Sequence, residues 1–361
     1  MKRVVLFTTH YWNSHRRAGF HWIADALWSR GWEVVFFMDG LSWIDHLRRD
    51  YRFQYPVVKE SNKLVPMRER LYSYVWLNSW RPISLRNKAL DNLLYGPFSR
   101  YGDLPLGEVE EFIRSADLFI FESSYGLMLF DRVKRMNPSA RYVYRVSDDL
   151  NLVPVHRLVL DTERRIAREF DLVSVPAPAI YEKFKDLPNL VLQKHGIRCD
   201  MFDKDYENPY AGIRGPHLLF VGSCIMDMDF VRLAAEQFPD AKFHIIGPFA
   251  SPEASSGNVI FYGEVPFDKT IPYIKFADVG LNCRTMPSLT DSLKVQQYTY
   301  CRLPIITSSA NKSDKPHVFY YEPGDSQSIR NAVEAALSFD RSLVPKDRIQ
   351  SWDSLVDSLV G

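Results

Sequence analysis

The stretch His217-Leu218-Leu219-Phe220-Val221-Gly222 is a short apolar run closed by glycine. It follows directly on a polar segment, residues 199–216, that is rich in Asp, Lys, Asn, Pro and Gly. An unbroken apolar run of this kind fits a strand covered on both faces, as in a parallel sheet. The chain opens in the same way. Val4-Val5-Leu6-Phe7-Thr8 reads as a strand, and Phe20, Ile23, Ala24, Leu27 and Trp28 recur at helical spacing. Gly31 suits the helix end, and residues 33–38 read as the next strand. Strand, helix and strand in that order require a parallel sheet with a right-handed crossover. The second start at His217 therefore predicts an α/β chain of two Rossmann-like lobes.

Between and beyond these starts, strand candidates lie at residues 118–121, 141–145, 172–175, 190–193, 242–246, 259–262, 279–282 and 303–307. Helical patterns such as 106–115, 161–169, 229–237 and 326–339 separate many of them. A length of 361 residues suits two domains. The polar segment sets the boundary near residue 200. The first lobe spans 1–200 and the second 201–345, and an amphipathic tail, 346–361, is expected to cross back to the first lobe.

Apolar residues make up 46% and charged residues 25%, the balance of a soluble globular protein. A net charge of +1 gives no sign of a nucleic-acid partner. Cys199, Cys224, Cys283 and Cys301 form no C-x-x-C pair, so neither a zinc site nor a disulfide framework is indicated. Free thiols point to a reducing cytoplasm. The apolar run at the N-terminus is too short for a signal peptide. No stretch reaches the roughly 18 apolar residues of a membrane span, so any membrane contact is peripheral.

One segment interrupts the alternation. Residues 63–101 hold seven basic residues against two acids, a local net charge of +5. Interleaved with them are Tyr72, Tyr74, Trp76, Trp80, Tyr95, Phe98 and Tyr101. Two readings stand side by side. Tyr72, Trp76, Trp80 and Arg81 could lie in an anionic membrane interface. Alternatively, a helical insertion packs its aromatics on the first lobe.

The stretch with most chemical content is Asp291-Ser292-Leu293-Lys294-Val295-Gln296-Gln297-Tyr298, followed by Arg302-Leu303-Pro304-Ile305-Ile306-Thr307-Ser308. Thr290, Asp291 and Ser292 are helix-capping types. A helix start aims backbone N–H groups at one point and so forms an anion site. Lys294 would add a full charge suited to a departing diphosphate. Gln297, on the same helix face, could bond a ribose or a base. An ordinary capped helix with a solvated lysine is the competing reading.

This pattern, S-[LM]-K-x-x-[EQ]-Y followed by L-P-I-I, resembles the donor lobe of GT-B glycosyltransferases. Within that fold the chain most resembles the xanthan-pathway glucuronosyltransferases, glycosyltransferase family 70, the GumK-like enzymes. The loop Gly222-Ser223-Cys224-Ile225-Met226-Asp227, the segment Tyr262-Gly263-Glu264-Val265-Pro266 and the strand end Arg145-Val146-Ser147-Asp148-Asp149 also resemble that family. The family carries Met at the positions of Cys224 and Leu293, and Tyr near Arg284. An Arg there could pair with a sugar carboxylate or with another anion.

The resemblance implies two lobes facing across a cleft and an inverting, metal-independent transfer with no cofactor beyond the UDP-sugar co-substrate. It implies glucuronate as the sugar and a polyprenyl-diphosphate-linked oligosaccharide as acceptor, in exopolysaccharide synthesis on the cytoplasmic face of the inner membrane. Donor contacts are implied for Ser223, Cys224, Asp227, Glu264, Arg284, Ser292, Leu293, Lys294 and Gln297. A GT-B sugar-nucleotide 2-epimerase and a non-catalytic nucleotide-sugar-binding scaffold are the competing functions.

Asp148 and Asp149 stand at a strand's carboxyl edge, where α/β sites form. An inverting transfer needs a base beside the acceptor hydroxyl. Asp148 is the favoured base, and Asp149 is its rival. Asp227-Met228-Asp229 mimics a D-x-D metal motif but begins a helix, where acids cap N–H groups. After the first strand, His10, Trp12, Arg16 and Arg17 form an acceptor-loop candidate through stacking and pyrophosphate pairing. His21 reads as a packed histidine, and His195 as a contact where the first lobe ends.

Overall fold

The computed structural model describes residues 1–222, 226–249, 257–284, 292–311, 315–346 and 349–361. The chain divides into two compact units. One comprises Met1–Lys194 with Trp352–Gly361, and the other His195–Ser351.

The first unit is built on an eight-stranded sheet. Its strands are β1 (Arg3–Thr8), β2 (Glu33–Ser42), β3 (Leu64–Arg68), β4 (Leu71–Asn78), β5 (Leu118–Glu122), β6 (Arg141–Arg145), β7 (Leu172–Val175) and β8 (Leu190–Leu192). The order is β3-β4-β2-β1-β5-β6-β7-β8, parallel except where β3 runs against β4. β1 pairs with β2 on one side and β5 on the other, so the order reverses direction between β1 and β5. The crevice beyond the carboxyl ends at such a reversal is where open α/β sheets bind ligands.

The central strands are buried along nearly their whole length because helices cover both faces, which explains the unbroken Leu118-Phe119-Ile120-Phe121. Phe7 stacks on Phe121 with ring centroids 4.4 Å apart in the middle of this core.

The second unit carries β9 (His217–Val221), β10 (Lys242–Ile246), β11 (Val259–Gly263), β12 (Val279–Asn282), β13 (Ile305–Ser308) and β14 (Val318–Tyr321). All are parallel, in the order β11-β10-β9-β12-β13-β14. Counted from the first strand of the unit, this is the doubly wound order of a Rossmann sheet, with its reversal between β9 and β12. Both Rossmann-like sheets expected from the sequence are present.

The closing helix Trp352–Val360 packs in the first unit against the helix Gly19–Ser29. Gly19 is needed there, because a Cβ would lie 3.0 Å from the Trp352 ring. Arg30 donates to the Asp353 carbonyl and the Asp357 carboxylate, and Arg141 donates to the last two carbonyls, of Val360 and Gly361.

The segment 63–101 packs its aromatics on the first lobe, as the second reading has it, but only its second half is helical. Its first half is neither a helical insertion nor an interfacial surface but the hairpin β3–β4, with β4 an interior strand. Trp76 is fully buried, packs on Tyr101 at 4.8 Å and donates its indole N–H to the Pro105 carbonyl. Tyr72 and Trp80 lie against the same core, and Trp80 stacks on Phe98. Arg81 forks onto Asp45 at 2.6 and 2.7 Å and sits over the Tyr125 ring. None of these four is the outward anchor that the aromatic-basic pattern suggests. Truncating a buried Trp of this kind to Ala typically costs about 3–5 kcal/mol.

The exposed apolar side chains lie further on. Leu85, Leu90 and Leu93 project on and before the helix Lys88–Ser99. Leu152 and Val153 project from a loop that is held to this helix by His156, whose Nε2 bonds the Asp91 carbonyl.

Two of the buried histidines in the second unit are joined to each other. His217 Nδ1 lies 3.0 Å from His244 Nε2, and His244 Nδ1 lies 2.8 Å from the Tyr262 hydroxyl. Burial, then the neighbouring positive charges of His217 and Lys242, push His244 down to about 4. A histidine held below its ordinary value contributes stability above about pH 6.5 that is lost as pH falls toward the folded value, at about 1.4 kcal/mol per pH unit per group. The melting temperature is therefore expected to fall between pH 6.5 and 4.5. His244→Gln should flatten that slope, and an identical slope in the variant would place the acid sensitivity elsewhere.

Candidate active site

At the first unit's reversal, the carboxyl ends of β1, β5 and β6 bring together three polar groups. Thr8 Oγ1 donates to Glu122 Oε2, and Ser147 Oγ donates to Glu122 Oε1 at 2.6 Å. Ser123 Oγ accepts from the backbone N–H groups of Ser147 (3.1 Å) and Asp148 (3.0 Å). Ser124 Oγ donates to Asp39 Oδ2 at 2.7 Å and accepts from the Gly126 amide. Asp39 lies at the register shift in β2 and is completely buried. Burial pushes its carboxyl up to about 7, against the Ser124 hydrogen bond. Gly126 leaves the room for it, since a Cβ there would meet Asp39 Oδ2 at 2.5 Å.

Sequence reasoning missed Glu122, Ser123, Ser124 and Asp39. The available signal was three consecutive polar residues at the end of an otherwise apolar strand.

The structure separates Asp148 from Asp149. Asp149 Oδ1 receives the Lys183 ammonium at 2.8 Å and both N–H groups of Asn151, backbone and side chain. Although burial works the other way, these contacts hold its carboxyl below the ordinary carboxylate range. Lys183 also bonds Glu163, which accepts from Tyr144, so Asp149 belongs to a buried structural network. Asp148 is exposed, at the carboxyl edge of β6. A carboxylate already neutralised by an ammonium is a poor proton acceptor, whereas a solvent-exposed one can be reached by an incoming hydroxyl.

The loop after β1 is divided. His10 Nε2 faces Glu122 Oε1 at 3.8 Å. Trp12, however, is buried, with Arg17 over its ring at 4.8 Å and Phe36 edge-on at 5.1 Å. Arg17 is paired with Asp25 at 2.7 Å. Trp12 is therefore a core residue and not a sugar platform, because its flat faces are already covered. Arg16 lies over Tyr51. His21 is packed as expected: Nδ1 accepts from the Ala18 amide, so Nε2 carries the proton and donates to the Tyr11 carbonyl.

In the second unit, the helix Leu293–Tyr300 starts beside the carboxyl ends of β9 and β12. Its position is set by Tyr298, whose hydroxyl donates to the Leu219 carbonyl and accepts from the Val221 amide. Gly280 is required beneath the Tyr298 ring, which its Cβ would overlap. This packing brings the Lys294 ammonium to 3.8 Å above the Phe220 ring, next to Gly222.

Ser292 is the N-cap but makes no side-chain cap bond. Its buried hydroxyl, like the buried Asn282 Oδ1 at the end of β12, finds no hydrogen-bond partner among the described residues. A buried polar atom left without a partner is costly, and a bound ligand would relieve it. Leu293 is half-buried, Gln297 is buried, Glu264 is exposed just past β11, and Arg284 is half-buried.

Asp227 is tied into the fold of the second unit. Oδ1 caps the Phe230 amide and Oδ2 accepts from the Tyr321 hydroxyl, so the helix start and β14 use both oxygens. Ser223, Cys224 and Asp291 lie outside the described residues. Among the described residues, no group of three or more His, Cys, Asp and Glu side chains could hold a metal ion.

Two Rossmann-like sheets, each with polar groups gathered at its reversal, have the layout of the GT-B fold. Two solved structures share the fold: the UDP-forming α,α-trehalose-phosphate synthase of Burkholderia xenovorans and a glycosyltransferase of Rickettsia africae. The first has a TM-score of 0.62 and 12% identity, over 100% of both chains. The second has a TM-score of 0.59 and 10% identity, over 99% of this chain and 94% of that one. Residues 6–176 match the family model described as glucuronosyltransferase GumK, N-terminal domain. The UDP-glucuronate:glycolipid 2-beta-glucuronosyltransferase of Xanthomonas campestris pv. campestris is 28% identical over 99% of this chain and 88% of its own length. By these likenesses the chain is a glycosyltransferase whose N-terminal half resembles that of GumK.

Proposed function

We propose that the protein transfers glucuronate from UDP-glucuronate to a hydroxyl of a polyprenyl-diphosphate-linked oligosaccharide. The transfer proceeds with inversion and without a metal, during exopolysaccharide synthesis. The observation that carries this reading is the contrast at the end of β6, where Asp149 is neutralised by Lys183 while Asp148 is exposed. The end-to-end similarity to an enzyme named for UDP-glucuronate and a glycolipid supports the donor and acceptor classes.

Asp148 accepts the hydroxyl proton as the glycosidic bond forms. The Lys294 ammonium and the N-terminus of its helix take up the charge that gathers on the departing UDP. Arg284 offers a partner for the uronate carboxylate.

A thermal-shift panel of UDP-glucuronate, UDP-glucose, UDP-N-acetylglucosamine and GDP-mannose tests the donor. A ligand at 100 times its Kd stabilises by about 2.7 kcal/mol, and UDP-glucuronate should shift the melting temperature most. Arg284→Met should abolish its advantage over UDP-glucose. A larger shift with UDP-glucose in the wild type would reject the uronate reading.

Among the described residues no helix is long and apolar enough to cross a membrane. We further propose that the exposed Leu85, Leu90, Leu93, Leu152 and Val153, with Arg86 and Lys88 beside them, rest on an anionic cytoplasmic membrane surface. Vesicles of phosphatidylglycerol should sediment the protein at low salt, and added salt should weaken this binding. Leu90→Glu with Leu93→Glu should release it. Trp76 is left out of this test because it is core. Wild-type protein that stays in the supernatant at low salt would remove the membrane from the account.

A further inference from the structure

We propose that Glu122 is a positioning residue for the transfer step, acting through the Ser147–Asp148 turn; this rests on Asp148 being the base. Glu122 is 5% exposed, at the end of β5 beside the reversal of the sheet. A carboxylate in that setting is costly unless its oxygens are well bonded. Here both are bonded, to hydroxyls from the strands on either side of β5. Oε2 holds Thr8 of β1. Oε1 holds the Ser147 hydroxyl just past β6 and faces His10 of the loop after β1. The next residue, Ser123, accepts from the backbone amides of Ser147 and Asp148.

The end of β5 therefore grips the turn that presents Asp148 through both its side chain and its main chain. Backbone pairing alone would leave this turn free beyond Val146, whose amide still bonds the Ser174 carbonyl of β7. A catalytic carboxylate must stand within a fraction of an ångström of its working place, and misplacement costs rate without costing donor binding. Glutamine at position 122 cannot accept from both hydroxyls as they now stand, because its nitrogen only donates.

The test uses purified full-length protein, UDP-glucuronate and a synthetic polyprenyl-diphosphate-linked oligosaccharide. Glu122→Gln is expected to lower the single-turnover rate about 10- to 100-fold, with donor Kd within about twofold of wild type. Ser147→Ala should reproduce much of that loss and Ser147→Thr should restore it, which covers the case in which Glu122→Gln fails to fold. In the Asp148→Asn background, Glu122→Gln should cost almost nothing further, since both act through one group.

Wild-type rates in both Glu122→Gln and Ser147→Ala would overturn the inference. So would a loss that adds in full to that of Asp148→Asn. An Asp148→Asn enzyme with normal rates would reject the base assignment itself. An inactive Asp148→Asn beside an unimpaired Glu122→Gln would reject this inference alone.

Discussion

Asp148→Asn is expected to lower kcat by about 10²–10⁴ while the affinity for the UDP-sugar stays near that of wild type. A sugar hydroxyl is a weak nucleophile, and its proton must go to a base as the new bond forms. Asparagine keeps the shape of aspartate but accepts a proton far less readily. The donor site is built on the ends of β9 and β12, so binding of the UDP-sugar should not register the change. Asp149→Asn should behave differently. It leaves the partly buried Lys183 with Glu163 as its remaining carboxylate partner, so the expected loss is in melting temperature more than in rate. Kinetics and donor Kd for both variants distinguish the two roles. An inactive Asp149→Asn beside an active Asp148→Asn would reverse them.

The second large effect is expected at Lys294. Its ammonium is fixed over Phe220 next to Gly222, and the unpartnered Ser292 hydroxyl marks the start of the same helix. When the glycosidic bond of the donor breaks, negative charge collects on the diphosphate, and a positive group already in place needs no reorganisation to stabilise it. Loss of one such group typically costs about 10²–10³ in turnover. Lys294→Met is the informative variant, because it keeps the apolar stem against Phe220 and removes only the charge. Its melting temperature should stay close to wild type while kcat falls. Normal kinetics in Lys294→Met would take Lys294 out of the mechanism.

The strands of both sheets were legible because helices cover both faces, which leaves unbroken runs such as Leu118–Phe121 and Leu218–Val221 in the sequence. β3 and β4 were not legible. Charged residues flank Leu71-Tyr72-Ser73-Tyr74-Val75-Trp76-Leu77, and the interleaved aromatics resemble a membrane-surface pattern. Only the pairing of β4 with β2 reveals that Trp76 faces the core. Asp148 and Lys294 were legible as candidates because each sits at a fixed distance from a strand or helix start.

The ranking of Asp148 over Asp149 became physical only with Lys183, which lies 34 residues away in sequence. Asp227 was legible as a helix cap, but its second partner, Tyr321, lies 94 residues along the chain. Glu122 was invisible because its partners, Thr8 and Ser147, come from opposite sides of it in sequence and meet only at the reversal of the sheet.

One measurement bears most directly on the central claim: transfer of labelled glucuronate from UDP-glucuronate to a synthetic polyprenyl-diphosphate-linked oligosaccharide by the purified protein in EDTA, with the new anomeric linkage read by NMR. The account predicts label in the lipid-linked product, a β linkage formed from the α-linked donor, and the same rate with Mg²⁺ in place of EDTA. A retained α linkage, transfer that stops in EDTA and returns with Mg²⁺, or transfer from UDP-glucose but none from UDP-glucuronate would contradict it.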